Sequence, residues 1–196
     1  MNLTWMVRFG AICGVVLGLS LGVPGAVEAV TGETILTSFV IGLGAACGPP
    51  AVTAIYLGHA QAAGRFGAVA YAVNLIGLTL FAGLAFALNL VVFYLDKPVA
   101  EELLTGPTKA ALGLSVLVFI VGSILFGISL IRARVLPAVP SWTYVIVFPL
   151  LAVLASLPDS VFTSAMHVVA AGCLIWLSAA LWSSHEVAAP ELVSTV

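Results

Sequence analysis

The sequence predicts an all-α fold, a polytopic transmembrane helix bundle of about six spans with both termini inside. Three observations predict it. First, the 196-residue chain is 62% hydrophobic and 7% charged, with a mean hydropathy of +1.25; a soluble domain carries roughly 25% charged residues. Second, stretches free of Asp, Glu, Lys and Arg cover 9–27, 34–64, 66–95, 110–131, 135–158 and 160–184. Each approaches or exceeds the roughly 20 apolar residues that a helix needs to cross a bilayer core. Third, the basic residues fall on one side of that alternation. The apolar runs lack the alternating pattern of a membrane β-barrel.

Trimming these stretches at Pro, Gly and polar clusters places spans near 7–23, 35–58, 67–94, 108–131, 141–157 and 161–183. They form one membrane domain over 1–185, followed by a cytoplasmic tail at 186–196. In the first span, Arg8, an apolar run and Pro24–Ala29 imitate a secretory signal with its small-residue cleavage site. The same segment carries Gly10, Gly14, Gly18 and Gly22, four apart. That spacing lines one helix face with glycine and lets another backbone approach closely, so the segment reads as a retained helix with a packing face. The second span contains Cys47-Gly48-Pro49-Pro50, whose prolines remove two amide donors. The second and third spans exceed the length of one crossing, which predicts tilt or a protruding turn.

Asn74 and Asn89 lie in the third span, and Ser115 lies in the fourth. Pro149 interrupts the fifth and His167 lies in the sixth. Splitting the chain into two triplets of helices puts the Cys47–Pro50 and Pro149 interruptions in corresponding middle helices of opposite topology. Paired breaks of that kind mark transporter sites, although the two halves share no residue pattern. With the N-terminus inside, Arg8, Arg65, Arg132 and Arg134 are cytoplasmic. Lys97 and Lys109 then lie outside, with Glu28, Glu33, Asp96, Glu101, Glu102 and Asp159. The basic residues thus obey the positive-inside rule, and Trp5, Trp142 and Trp182 fall at cytoplasmic helix ends.

The segment Leu125–Pro137, read as L-F-G-x-x-L-x-R-A-R-V-L-P, resembles a helix end common to uncharacterised bacterial multi-pass proteins of actinobacterial type. Gly64-Arg65-Phe66-Gly67 and the aromatic-rich helix from Trp176 to Trp182 extend the resemblance over roughly 50–183. It implies a small helical protein of the bacterial inner membrane and supplies no catalytic residue. Arg132 and Arg134 also suit a helix C-terminus facing the inner leaflet.

The chemistry-bearing residues support three functional readings. An accessory or structural membrane subunit is favoured, because away from the span ends marked by Arg8 and Lys109 no span holds Asp, Glu, Lys or Arg for proton relay or ion coupling. A carrier of a small neutral or lipophilic molecule would bind at Cys47, Pro49 and Pro50 with Asn74 nearest, since unwound backbone at membrane depth needs partners. An intramembrane serine hydrolase would use Ser115 and His167. That pair resembles the rhomboid dyad of a fourth-helix Ser and sixth-helix His, but Gly113-Leu114-Ser115 continues into Val116 rather than Gly. The G-x-S-x-G match at Gly18–Gly22 lies on a helix, not on the strand-to-helix elbow that chemistry requires.

No cofactor is expected. His59 and His185 belong to the cytoplasmic edge and His167 to the outer third, so no pair of imidazoles faces across the bundle for haem. Cys13, Cys47 and Cys173 read as small hydrophobes of three helices rather than as metal ligands. Six Lys/Arg against eight Asp/Glu leave no basic face for nucleic acid. The expected partners are membrane lipid and a second copy or a larger membrane complex.

Overall fold

A computed structural model describes residues 3–154 and 160–187, with side chains described as far as Ser184. These residues are helical, with no strand among them. The elements are α1 (Leu3–Thr31), α2 (Ile35–Gly44), a 3-10 turn (Ala45–Cys47), α3 (Gly48–Leu90) and a second 3-10 turn (Val92–Tyr94). They continue as α4 (Lys97–Leu103), α5 (Gly106–Ala133), α6 (Ala138–Leu154) and α7 (Val161–Val187). The expected span end at 155–157, Asp159 and the tail from 188 onward lie outside the described residues.

Helix α1 corrects the expected boundary at residue 23. Pro24 sits inside it, and the helix continues to Thr31. A proline there removes one backbone donor, but Pro24 and Gly25 are both buried against the bundle, so packing outweighs the lost bond. The helix ends where Gly32 takes φ 73° and returns its N–H to Glu28 O at 2.9 Å. Next, Thr34 caps α2, exchanging hydrogen bonds with Thr37 through side chain and backbone.

The run Ile35–Tyr94 spans 60 residues, yet it is not one rod. Gly64 adopts φ 58°, ψ −152° inside α3, a combination essentially closed to residues with a side chain. The chain reverses there. Tyr56 stacks on Tyr71 with ring centroids 4.3 Å apart, Thr53 Oγ1 lies 3.0 Å from Tyr71 Oη, and Gly48 rests on Leu78. These pairs make α3 an antiparallel hairpin with arms 48–63 and 65–90.

The helices close into a ring. α1 packs on α7 and on the first arm of α3, and the second arm packs on α5. In turn α5 packs on α6, and α6 returns to α7. Helix α2 lies outside the ring against α1 and α3. Inside sit Ile55, Phe119, Phe126, Tyr144, Phe148, Leu174 and Leu177, all within the core cluster. The outer surface is apolar as well: Val30 is 89% exposed, and Leu36 and Val161 are each 71% exposed. Continuous apolar surface on this scale belongs against lipid or protein. Four stretches, Leu3–Thr31, Ile35–Tyr94, Gly106–Ala133 and Val161–Ser184, are long and apolar enough to cross a membrane, and α6 is a shorter apolar helix.

The antiparallel packing sorts the charges. Gly10 of α1 meets Ala54 of α3, Gly58 meets Leu181 of α7, and Arg132 lies over Phe66. Arg8, Arg65, Arg132 and Arg134 therefore share one end of the bundle. Glu28, Glu33 and the segment Asp96–Lys109 share the other.

Candidate functional site

Three interior polar side chains from separate elements converge at Asn74. Its Nδ2 donates to Tyr144 Oη at 3.0 Å, and Ser123 Oγ donates to its Oδ1 at 3.4 Å. This knot ties the second arm of α3 to α5 and α6, and all three residues are buried. Gly122 makes it possible. A Cβ there would fall 2.5 Å from Asn74 Cα, so only glycine lets α5 come close enough for Ser123 to reach the amide. Tyr144 also packs on Phe126 and Phe148, with ring centroids 5.6 and 4.4 Å away. The knot is fully buried, and it presents no open face to a ligand among the described residues.

A second polar cluster lies toward the Gly64 turn. His59, expected at the cytoplasmic edge, lies near the turn at the arginine end and is buried there, 2% exposed. It is seated between the rings of Tyr56 and Phe126. Its Nδ1 lies 2.7 Å from Ile55 O, so Nδ1 carries the hydrogen and Nε2 keeps the lone pair. That Nε2 and Ser129 Oγ are buried without a hydrogen-bond partner among the described residues.

The remaining candidates sit as follows. At Cys47–Pro50 the helix is not unwound: Gly44, Ala45, Cys47 and Gly48 all keep right-handed helical dihedrals. The chain tightens into one 3-10 turn, so Gly48 N–H reaches Ala45 O, and the prolines occupy the first turn of α3, where missing donors cost least. Thr53 Oγ1 donates to Pro49 O at 2.8 Å, and Pro50 O lies beneath Gly10 of α1. Asn74, expected as the nearest polar group, is committed instead to Tyr144 and Ser123. Pro149 lies inside the continuous helix α6, so it does not mirror the 3-10 turn.

Ser115 Oγ donates to Ala111 O at 2.8 Å within its own helix. His167 Nδ1 lies 3.0 Å from Thr163 O, and the residue packs against Gly25 of α1. Helix α5 packs on α3 and α6, whereas α7 packs mainly on α1 and α6 and lightly on α3. Ser115 and His167 thus lie on helices that do not pack extensively on each other. Asn89 Nδ2 likewise turns back to Ala85 O at 2.8 Å.

The glycine row on α1 meets two helices. Gly10 lies on Pro50 and Ala54 of α3, Gly14 on Ser178 and Ala51, and Gly18 and Gly22 on Ala171 of α7. Cys13 lies beside Cys47, while Cys173 Sγ donates to Pro140 O at 3.2 Å. Among the described residues no three His, Cys, Asp or Glu side chains cluster as metal ligands.

Sequence reasoning singled out Asn74 but missed Tyr144 and Ser123 as its partners. A tyrosine within the fifth span was the available signal, since a buried phenol needs a partner; which partner depends on a contact across 70 positions. Comparisons of the chain with family models, curated proteins and solved structures find no match.

Proposed function

We propose that the chain is a multi-pass protein of the bacterial inner membrane that crosses six times with both ends cytoplasmic. We further propose that it serves as a non-catalytic accessory or structural subunit of a membrane assembly. The six crossings are α1, α2 joined to the first arm of α3, the second arm, α5, α6 and α7. The orientation rests on the four arginines gathered at one end, and the bacterial setting rests on the resemblance at Leu125–Pro137. The observation that carries the functional reading is the Asn74–Tyr144–Ser123 knot, which spends central polar groups on joining helices rather than on a substrate.

The separation of the Ser115 and His167 helices supports this reading over a hydrolase. Pro50 O beneath Gly10 and Pro49 O bonded to Thr53 support it over a carrier at the prolines. The test is extraction from native membranes in a mild detergent, followed by mass measurement of the particle. A stoichiometric complex heavier than the 20.1 kDa chain with its lipid is expected. A monodisperse particle of one chain refutes the accessory role.

A further inference from the structure

A cleft of about 370 Å³ opens between α1 and α7 at the arginine end of the bundle. Ala11, Ile12 and Val15 line it from α1, and Ser178, Ala179 and Trp182 line it from α7. Its volume falls in the roughly 300–1,000 Å³ range of ligand sites. One feature distinguishes it from the rest of the apolar surface. Beside Trp182, which lines the cleft, the Arg8 guanidinium carbon lies 5.3 Å from the ring centroid, and Arg8 Nε is buried with no acceptor among the described residues.

We propose that this cleft holds one acyl chain of an anionic phospholipid whose phosphate is bound by Arg8. This rests on the membrane setting proposed above, but not on the subunit role. The trough is apolar along its length and ends at a cation, which matches an amphiphile with a hydrocarbon tail and a negative head. Trp182 holds the guanidinium by a cation–π contact, leaving its other donors for phosphate oxygens, which the planar fork suits. The described carboxylates, Glu28, Glu33, Asp96, Glu101 and Glu102, all lie at the opposite end. A second copy is the poorer occupant. A helix about 10 Å across fills roughly 400 Å³ per turn, so the 370 Å³ cleft holds less than one turn of it. Basic pockets between helices at the cytoplasmic face are the usual seats of anionic lipid heads.

The experiment is native mass spectrometry of the full chain in detergent, titrated separately with phosphatidylglycerol and phosphatidylcholine of the same acyl chains. Arg8→Gln is expected to weaken phosphatidylglycerol retention about fivefold, the equivalent of roughly 1 kcal/mol per basic residue, and to leave phosphatidylcholine unchanged. Ala179→Phe, which fills the trough, is expected to reduce retention of both. Arg134→Gln, at the same end but on α5, is expected to change neither. Equal losses from Arg8→Gln and Arg134→Gln would mean diffuse surface attraction and overturn the site. So would unchanged retention in Ala179→Phe, or efficient disulfide dimerisation of Ile12→Cys in lipid. If Arg8→Gln does not fold, Arg8→Lys replaces it: the charge stays but the fork is lost, and weakened phosphatidylglycerol retention is again expected. Loss of the native complex alone would count against the subunit role and leave this site standing.

Discussion

Replacing Gly10 with alanine probes the closest backbone approach between α1 and α3. The added Cβ would lie 2.5 Å from Pro50 O and overlap Ala54 Cβ. A carbonyl oxygen of the helix backbone cannot rotate away, so the two helices must part. Overpacking of this kind costs about 1–3 kcal/mol, while exchanging glycine for alanine in a helix returns up to about 1 kcal/mol. The net expectation is a loss of about 1–2 kcal/mol. In a chain of this length each kcal/mol moves the midpoint by about 2–4 °C, so Gly10→Ala is expected to melt several degrees below the parent in detergent, followed by tryptophan fluorescence. Gly113 is the control: nothing lies within 4 Å of its Cβ position, so Gly113→Ala is expected to melt at or slightly above the parent. Gly14 refines the comparison. A Cβ there meets Ser178 Oγ, but the next atoms, Ser178 Cβ and Ala51 Cβ, are at ordinary distances of 3.4 and 3.5 Å. Adding Ser178→Ala to Gly14→Ala is therefore expected to recover most of its loss. The reasoning fails if Gly10→Ala melts like the parent, or if Gly113→Ala loses as much.

Tyr144→Phe removes the acceptor of Asn74 Nδ2 and is expected to cost about 1 kcal/mol, the scale of hydrogen bonds between helices in membranes. Combined with Asn74→Ala, it should cost clearly less than the two single losses together, and strict additivity in the same melts would break the knot. Gly64→Ala places a side chain at φ 58°, ψ −152° and should destabilise by about 1–3 kcal/mol; an unchanged melt would show that the hairpin turn differs. A cysteine at Ala100 in α4 is expected to react with an impermeant maleimide from the non-cytoplasmic side of intact cells. Labelling only after the inner face is exposed would reverse the proposed orientation.

The helical class was legible from composition and from the six charge-free runs, because outward-facing and core-facing residues are both apolar and only the interruptions carry charge. Gly64 could be read as a boundary beside Arg65, and the four-residue glycine spacing on α1 as a close-packing face. Sequence periodicity, however, records spacing along one helix and not the identity of the neighbour. Asn74 was legible as a group in need of a partner, yet Ser123 meets it only because Gly77 and Gly122 let α3 and α5 touch backbone to backbone, and Tyr144 reaches it from α6. The same limit explains the proline segment. Two prolines signal lost donors, but whether the helix unwinds or tightens depends on how the freed carbonyls are met. Here Gly48 N–H meets Ala45 O and Thr53 bonds Pro49 O, beneath a glycine of α1. Likewise Pro24 reads as a helix end, and burial against α7 carries the helix past it. Composition and spacing thus determined which segments are helices and which faces are smooth. Only the tertiary structure decided which polar groups face one another, because a hydrogen bond across the bundle requires two surfaces to meet, and one sequence describes each surface separately.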